Sequence, residues 1–458
     1  MQTLLPPTYR QELVQYIFRL LRAGDSCSIV GVSGTAKSNL FRHLLNPEVR
    51  QHYLGDAWQS YLFLAVDSHA LAELSERAMY DLLLERLTAE ARERGVEENV
   101  VAQVEQSYQQ VLFSTDPPDW QRAFTQAIRA VMTADPTRHM VFLFDQFDEV
   151  YETLNPRFFA NLRSIRDDFK YRVSYVTFTR DELPRLRQGP ECEELYELLS
   201  PNVIGLGPYS YDDSWVLLRR VAGRYGLTLD PALSDRFIAF TSGHPGLLKA
   251  AYMATMRGSL TLPETDPEAI QTLLAETDVR TECLKLWDSI GEDEREALSD
   301  VAGGFQLLDS ERDVLQLLKL KGLVNEGENG AAGIFCDLFR TFVAELAPAK
   351  ARDLKLDRRS GRVWVEGKAI GEELTKLEFA LLCHLYDRCG EVCARDEIIY
   401  ALYPDEVIDT KAAIQNSRVD TLVGRLREKI EPDRSRPRYI IAVRGRGYKL
   451  SIGKSSPG

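Results

Sequence analysis

The sequence predicts a multidomain protein with an α/β core, a helical domain and two smaller α+β domains. Short apolar runs alternate with amphipathic helical stretches in the first part of the 458-residue chain, as in a parallel sheet covered by helices. A stretch without strand patterns follows, and the last third returns to short helices and strand pairs. We therefore place domains at 1–190, 191–278, 279–348 and 349–458.

Composition is typical of a globular protein, with 44% hydrophobic and 27% charged residues. No apolar run reaches the roughly 20 residues that span a bilayer. The first residues, Met1–Pro7, lack the basic and apolar segments of a signal peptide. Seven irregularly spaced cysteines are typical of a reducing compartment. We expect a cytoplasmic protein that makes no membrane contact.

Charge is unevenly distributed along the chain, whose net charge is −13. Residues 351–458 carry 21 Lys and Arg against 17 Asp and Glu, and from Lys411 onward the balance is 12 to 4. An acidic body followed by a basic last domain points to nucleic acid as that domain's partner. A basic solvated surface without a partner is the alternative.

The phosphate-binding loop is the first motif in chain order. An amphipathic helix over 8–22 and the apolar strand Cys27–Val30 lead into Gly31–Ser38, which reads Gly-Val-Ser-Gly-Thr-Ala-Lys-Ser and opens a helix. Backbone N–H groups there would face the phosphates of ATP or ADP, Lys37 would reach the β- and γ-phosphates, and the next serine would bind Mg²⁺. The predicted nucleotide-binding residues of this loop are Gly31, Gly34, Thr35, Ala36, Lys37, Ser38 and Asn39.

Ala36 departs from the usual loop, which has glycine before the lysine. The added methyl would cost on the order of 1 kcal/mol, through backbone strain at a positive φ or through a steric push on the ligand. The run Gly-Thr-Ala-Lys-Ser also resembles the phosphate loop of minichromosome-maintenance helicases, which are active ATPases. We therefore expect nucleotide binding and leave the rate of hydrolysis open.

The rest of the core supplies strands whose ends carry polar residues. In chain order, we predict the strand Tyr61–Val66, helices over 70–112 and 119–133, the strand Met140–Phe144, a helix over 156–169 and the strand Arg172–Phe178. Ligands bind outside the carboxyl ends of parallel strands, so the residues that follow these strands are candidates for the site.

Acidic and basic residues at two strand ends complete the predicted ATP site. Asp145 would orient Mg²⁺, and Asp148 or Glu149 would polarise the attacking water. Thr179 and Arg180, at the end of the last strand, would sense the γ-phosphate, with a surface arginine as the alternative. The predicted catalytic set is Lys37, Asp148, Glu149, Thr179 and Arg180, and the predicted Mg²⁺ ligands are Ser38 and Asp145.

The order of these motifs resembles that of STAND-type ATPases, which are signal-transducing relatives of AAA+ and NACHT proteins. Two further motifs carry the resemblance, the runs Ile204–Pro208 and Ser242–Gly246, and it covers about residues 10–347. It implies an α/β P-loop ATPase core with a helical lid, over 209–275, and then an internal winged helix. It also implies nucleotide contacts from Pro208 and, in the Gly-His-Pro turn that starts at Gly243, from His244 and Pro245; a plain helix-start turn is the alternative.

The internal winged helix is predicted over 281–347. Its elements are helices over Asp293–Val301 and Ser310–Lys319, the run Lys321–Val324 and a hairpin over Glu326–Gly333. In STAND proteins the domain in this position works as a hinge. Its wing carries few basic residues, so we do not predict DNA binding there.

A second winged helix is predicted after a polar linker. Its elements are a strand pair in Leu354–Val365, a helix with a Thr375–Glu378 capping box, helices Ala394–Leu402 and Ile414–Ile430, and a hairpin in Arg438–Leu450. Residues 354–452 resemble the winged helix-turn-helix effector domain of OmpR/PhoB-type response regulators. The motifs are L-T-x-x-E-F-x-L-L, V-D-T-L-V-G-R-L-R-E-K-I and V-R-G-R-G-Y-K-L.

The last long helix of this domain has a slender basic face that suits a DNA major groove. Its apolar residues Val419, Leu422, Val423 and Leu426 would pack inward. The arginines at the glycine-flanked hairpin tip would reach a minor groove or phosphates of double-stranded DNA. The predicted DNA-binding residues are Arg418, Thr421, Arg425, Lys429, Arg444, Arg446 and Tyr448. Protein contact through the same surface is the alternative.

A cluster of Cys383, His384, Cys389 and Cys393 raises the question of a zinc site. The spacing is irregular, and 383 and 393 fall on apolar faces of the domain's first two helices. We interpret the cysteines as small core residues.

The leading hypothesis is an ATP/ADP-switched DNA-binding regulator that controls transcription through its C-terminal domain and is reset by slow hydrolysis. It would act as a homo-oligomer, with Arg163 or Arg166 contacting a neighbour's phosphate, or respond to a protein partner. One alternative is a DNA-associated ATPase that assembles on DNA in defence, replication or transposition. Another is a degenerate ATPase that holds ADP as a structural cofactor, for which Ala36 is the hint.

Overall fold

The computed structural model describes residues 5–189, 193–256, 262–303, 311–326, 332–346, 354–356, 361–365, 368–370, 374–403, 412–433 and 436–451. The chain divides into two compact units. The first holds residues 1–291, 318–325 and 335–339, and the second holds 292–317, 326–334 and 340–458.

A parallel sheet forms the centre of the first unit. Its strands are β1 Cys27–Val30, β2 Tyr61–Asp67, β3 His139–Asp145, β4 Val173–Thr179 and β5 Val203–Gly205. They are ordered β2-β3-β4-β1-β5, and every neighbouring pair is parallel. All the carboxyl ends therefore meet at one edge of the sheet.

Helices cover both faces of this sheet. They are α1 Gln11–Ala23, α2 Lys37–Leu45, α3 Pro47–Leu54, α4 Glu76–Glu93, α5 Glu98–Phe113, α6 Pro117–Ala134, α7 Phe147–Thr153, α8 Pro156–Asp168, α9 Leu183–Leu186 and α10 Glu193–Leu199. Alternate residues of β2 enter different cores: Leu62 and Leu64 join one cluster, and Tyr61 and Phe63 join the other. A strand buried on both faces is apolar throughout, which is why these strands were visible as continuous apolar runs.

The helical lid follows β5 in the chain. It contains α11 Tyr211–Tyr225, α12 Pro231–Thr241, α13 Pro245–Met256, α14 Asp266–Ala275 and α15 Thr277–Asp288. Side-chain caps fix where two of these helices begin. Ser210 accepts a hydrogen bond from the Asp213 N–H group, and Asp230 caps α12, whose first residue is a proline.

The region after the lid contains short helices and a strand pair. These are α16 Glu292–Ala302, α17 Arg312–Leu320, β6 Val324–Glu326, β7 Ala332–Ile334 and α18 Asp337–Leu346, with β6 and β7 paired. The predicted hairpin tip, 327–331, lies outside the described residues.

The C-terminal domain has its own core within the second unit. Its elements are β8 Leu354–Leu356, β9 Val363–Val365, β10 Lys368–Ala369, α19 Lys376–Asp387, β11 Val392–Cys393, α20 Arg395–Leu402, α21 Ala412–Ile430, β12 Ile440–Val443 and β13 Gly447–Leu450. The strands form two antiparallel three-stranded sheets, ordered β10-β9-β8 and β11-β13-β12. Apolar residues of both sheets and of α19–α21 form one cluster.

The predicted fold class is confirmed: a parallel α/β core is followed by helices and by winged-helix elements. The capping box of Thr375 and Glu378 is present at the start of α19. One placement was wrong, because Cys393 lies in β11, which pairs with β13, and not on a helix. Among the described residues, no helix combines the length and apolar character that crossing a membrane requires. The four domain boundaries stay predictions.

Candidate functional site

The phosphate loop connects β1 to α2 and contains two residues in the left-handed region. Gly34 has φ +81°, and Ala36 has φ 67° and ψ 37°. The Ala36 carbonyl accepts hydrogen bonds from the N–H groups of Asn39 and Leu40, which start α2. An alanine held in this conformation costs about 1–2 kcal/mol. Two costs were expected for the extra methyl, backbone strain and a steric push on the ligand. The positive φ of Ala36 shows the backbone strain.

A cavity of about 580 Å³ lies at the carboxyl edge of the sheet, between this loop, the strand ends and α13. Its volume is in the range typical of small-molecule and cofactor sites. The predicted site residues that line it are Gly34, Ala36, Lys37, Ser38, Asn39, Asp145, Asp148, Glu149, Arg180 and Pro245. Residues that line it without having been predicted include Ser33, His69, Gln146, Tyr209, Gly246 and Lys249.

The side chain of Lys37 lies over the phosphate loop, to which the residue itself belongs. Its Nζ donates to the carbonyl oxygens of Gly31 and, at 3.2 Å, Val32. Burial lowers the pKa of Lys37 to about 8, and the negative charge of Asp148 opposes that shift. The amine is still mostly protonated at pH 7, so the loop carries a positive charge at the position where phosphates would bind.

Asp145 and Ser38 supply neighbouring oxygen atoms in the cavity. Asp145 is buried at the end of β3 and accepts hydrogen bonds from the Ser38 hydroxyl and, at 3.0 Å, from the Gln146 N–H group. Burial raises the pKa of the Asp145 carboxyl, and the Ser38 hydrogen bond opposes that shift. A hydroxyl beside a carboxylate fits Mg²⁺, which is held by one or two carboxylates together with substrate phosphates.

Asp148 and Arg180 connect the ends of β3 and β4. The Arg180 N–H group donates to Asp148 Oδ1 at 2.7 Å, and Arg180 Nε lies 3.9 Å from the same oxygen. Asp148 is buried, whereas about half of the Arg180 side chain is exposed, at 53%. Glu149 is exposed and lines the same cavity. Glu149 and Arg180 are thus both accessible to a ligand.

Three predicted residues support the loop from behind and do not line the cavity. Thr35 is buried, and its hydroxyl donates to the Val32 carbonyl at 2.8 Å. The N–H group of Gly31 donates to the Thr179 carbonyl at 3.0 Å. The Thr179 side chain is fully buried, and its role as a γ-phosphate sensor stays a prediction.

Pro208 and His244 are also placed outside the cavity lining. Pro208 lies beside Gly322, where an added Cβ would come within 3.0 Å of its Cδ. His244 is buried behind the loop, with its Cε1 2.8 Å from the position of a Cβ on Gly34. Burial lowers the pKa of His244 to about 3, so the imidazole is neutral.

The lid and the N-terminal segment hold the phosphate loop by contacts that the sequence did not reveal. The Gly246 N–H group donates to the Gly34 carbonyl at 3.1 Å, and the Ser33 N–H group donates to the Ser289 hydroxyl at 3.1 Å. The Arg10 guanidinium donates to the carbonyl of Thr35 at 3.1 Å. These partners are distant in the chain, and no local spacing signals them.

The two arginines predicted to contact a neighbouring molecule lie on α8, away from the cavity lining. Arg163 pairs with Asp167 at 3.1 Å and donates to the Glu194 carbonyl at 3.0 Å. Arg166 is buried, with its guanidinium 5.5 Å from the centre of the Tyr171 ring. Burial leaves Arg166 unsuited to contact a second molecule, and the role of Arg163 stays a prediction.

In the C-terminal domain, α21 has the predicted inward and outward faces. The inward residues Val419, Leu422, Val423 and Leu426 are all buried in the domain core. The outward residues Arg418, Thr421 and Arg425 are exposed, as are Arg444 and Arg446 between β12 and β13.

Two predicted DNA-contacting residues take part in contacts within the domain. Lys429 Nζ donates to the buried carboxylate of Glu378 at 3.0 Å. Tyr448 is buried, and its hydroxyl donates to Asp420 Oδ1 at 2.7 Å. Both therefore stabilise the packing of α21, and the exposed arginines carry the open basic surface.

Two family descriptions match the chain. "Novel STAND NTPase 1" matches residues 9–258. "Transcriptional regulatory protein, C terminal" matches residues 370–450. The expected combination of a STAND-type NTPase with an OmpR/PhoB-type winged helix is confirmed.

Curated relatives match a part of the chain that is about a fifth of its length. Protein PetR of Rhodobacter capsulatus is 42% identical over 78 residues, which are 17% of this chain and 33% of PetR. The sensory transduction protein RegX3 of Mycobacterium leprae is 40% identical over 98 residues, 21% of this chain and 46% of RegX3. The probable transcriptional regulator ycf27 of Cyanophora paradoxa is 36% identical over 98 residues, 21% of this chain and 38% of ycf27. The chain thus spans between a third and a half of these relatives.

Solved structures also show similarity to the chain. A Walker-type ATPase of Pyrococcus abyssi is 14% identical with a TM-score of 0.45, covering 73% of this chain and 95% of its own. The DNA-binding domain of Klebsiella pneumoniae RstA in complex with the RstA box is 24% identical with a TM-score of 0.19, covering 22% of this chain and 92% of its own.

Proposed function

Because the chain belongs to the novel STAND NTPase 1 family, we propose that it is a nucleotide-switched transcriptional regulator that binds double-stranded DNA. The observation that supports this most is the presence, in one chain, of two features. One is a cavity where Lys37, Asp145 and Arg180 meet, and the other is a C-terminal domain of the transcriptional regulatory family. ATP or ADP with Mg²⁺ is the expected ligand of the cavity.

The residues around the cavity fit a nucleotide. Lys37 and the N–H groups of the loop would bind the phosphates, and Ser38 with Asp145 would hold Mg²⁺, whose charge stabilises the transferred phosphoryl group. Glu149 is exposed at the cavity and is our candidate for positioning the attacking water, because Asp148 is buried and bonded to Arg180. Slow hydrolysis would return the protein to its ADP state.

Switching requires that ATP and ADP differ in their relative affinity for two conformations, since a ligand with equal affinity for both shifts nothing. The exposed arginines of α21 would enter the major groove, and Arg444 and Arg446 would contact phosphates or the minor groove. Assembly of several copies would align C-terminal domains on repeated DNA sites.

A protein that holds ADP as a permanent structural cofactor is the second candidate. The hydrogen bonds from Gly246 to Gly34 and from Ser33 to Ser289 favour it, because they hold the lid on the phosphate loop and would slow nucleotide exchange. The two candidates differ in a measurable rate. A switch exchanges bound ADP for ATP, whereas a structural cofactor remains bound during prolonged dialysis against ATP.

The nucleotide site is tested by Lys37→Met. Removing a charged hydrogen-bond donor costs about 1.5–3 kcal/mol, so the affinity for a fluorescent ADP analogue should fall about ten- to hundredfold. Lys170→Met is the matched control, because Lys170 is exposed and lies before the opposite end of β4. Equal affinities in the wild type and Lys37→Met would contradict the proposed site.

A further inference from the structure

Lys321 is a completely buried lysine outside the predicted site, with a side-chain exposure of 0%. It belongs to the run Lys321–Val324, for which only a place in the internal winged helix was predicted. Its Nζ lies 3.1 Å from Asp181 Oδ1. Lysine is almost never fully buried unless it is paired, because desolvating an ammonium group is costly. The position of this charge therefore needs an explanation.

Asp181 connects Lys321 to the cavity. It directly follows Arg180, whose side chain lines the cavity and whose N–H group donates to Asp148 at 2.7 Å. Asp181 is mostly buried and also accepts a hydrogen bond from Arg185 at 3.2 Å. Lys321, Asp181, Arg180 and Asp148 thus form a continuous series of contacts from the winged-helix segment to the nucleotide cavity.

The backbone around Lys321 is packed too closely to move alone. A Cβ on Gly322, where φ is +68°, would lie 2.7 Å from the Gly207 Cα atom. A Cβ on Gly205 would lie 1.8 Å from the Leu320 carbonyl oxygen. The segment 318–325 is therefore in direct backbone contact with the last residue of β5 and with the segment that follows it.

We propose that Lys321 is a positioning residue that couples the phosphate state of the bound nucleotide to the winged-helix segment 318–325. This inference rests on the proposed function, because it requires a nucleotide in the cavity. A γ-phosphate attracts Arg180, and Arg180 shares one turn with Asp181. The buried ammonium of Lys321 pairs with Asp181, so a shift of that turn would be transmitted to Lys321 through this contact.

The test compares the affinities of ADP and a non-hydrolysable ATP analogue for the full chain, in the wild type, Lys321→Met, Asp181→Asn and the double variant. In the single variants, the preference for the ATP analogue over ADP should fall about five- to tenfold, the low end of site-to-site coupling. ADP affinity should stay within about twofold. The double variant should equal the single ones, because both remove the same contact. Lys170→Met is the control.

A second measurement covers the case in which Lys321→Met does not fold. Hydrogen exchange of peptides from 318–325 should differ between the ADP and ATP-analogue forms of the wild type, and this difference should vanish in Asp181→Asn. The inference is overturned if the variants lower the affinities for ADP and for the ATP analogue equally, or if the effects of the two single variants add in the double variant. It is also overturned if hydrogen exchange of 318–325 in Asp181→Asn still differs between the two nucleotides. If the wild type binds no nucleotide, the proposed function fails and the inference fails with it.

Discussion

Ala36 is held at φ 67° because hydrogen bonds fix the chain on both sides of it. Before it, the Arg10 guanidinium binds the Thr35 carbonyl, and after it, the Ala36 carbonyl accepts the first bonds of α2. The strain of a non-glycine residue there persists only because the surroundings over-determine the conformation. This strain raises the free energy of the loop conformation that binds phosphate.

Ala36→Gly should therefore strengthen nucleotide binding. Glycine adopts a positive φ without steric cost, and part of the strain, on the order of 1 kcal/mol, would be relieved. We expect about a three- to fivefold gain in affinity for ADP, measured by titration with a fluorescent analogue. Ala36→Val is the opposing variant, because a β-branched residue is a strong outlier at positive φ. A loss of affinity in Ala36→Gly would show that the methyl contributes to binding.

Some residues of the site could be predicted from a local sequence pattern, and others could not. Asp145 was predictable because it ends the apolar strand β3, and Lys37 because it belongs to the loop motif that follows β1. Arg10 and Lys321 were not, because Arg10 contacts Gly207 and Lys321 contacts Asp181 across more than a hundred residues. The burial of Thr179, the last residue of β4, could not be predicted from its place at a strand end.

At the scale of elements, β8 shows how an edge strand can be buried on both faces. Leu354 and Leu356 enter the core of the C-terminal domain. Lys355 points to the opposite face by the period-two geometry of a strand, yet it too is buried. Its partner is the buried Asp300 of α16, to which its ammonium donates. This ion pair fastens the first strand of the C-terminal domain to the preceding winged-helix region.

Removing one partner of this pair should loosen α16 and β8 together. Breaking a buried ion pair costs about 3–5 kcal/mol, because the remaining charge is left without a partner. Lys355→Met should therefore lower the protection of both elements against hydrogen exchange by that amount. Arg388→Met, which breaks an exposed pair with Glu397, should cost at most about 1 kcal/mol. Equal exchange in both variants would contradict a fastening role.

Helices and strands could be predicted where apolar residues recur at a regular spacing. The inward face of α21 and the apolar strands of the core follow directly from spacing. The roles of Lys429 and Tyr448 did not follow, because their partners Glu378 and Asp420 were recognisable only once α19, α21 and β13 were packed together. The spacing of apolar residues identifies the buried face of a helix. Tertiary packing then determines which polar residues at the border of that face are exposed.

At the scale of the whole molecule, the chain combines a nucleotide cavity in one compact unit with an exposed basic surface in the other. The charge distribution agrees with this division, since the positive residues concentrate after Lys411 in a chain of net charge −13. The sequence allowed this organisation to be predicted because each part carries its own ordered motifs. It did not reveal contacts between distant segments, such as that of Lys321 with Asp181, on which the proposed coupling depends.

If bound nucleotide controls DNA binding, as we propose, DNA footprinting of the full chain with ADP or a non-hydrolysable ATP analogue should detect that control. We predict sequence-specific protection whose apparent affinity differs at least about fivefold between the two nucleotides. Lys37→Met should remove the difference, and Arg425→Ala should remove the protection while nucleotide affinity stays unchanged. Identical footprints with ADP, with the ATP analogue and in Lys37→Met would contradict the claim.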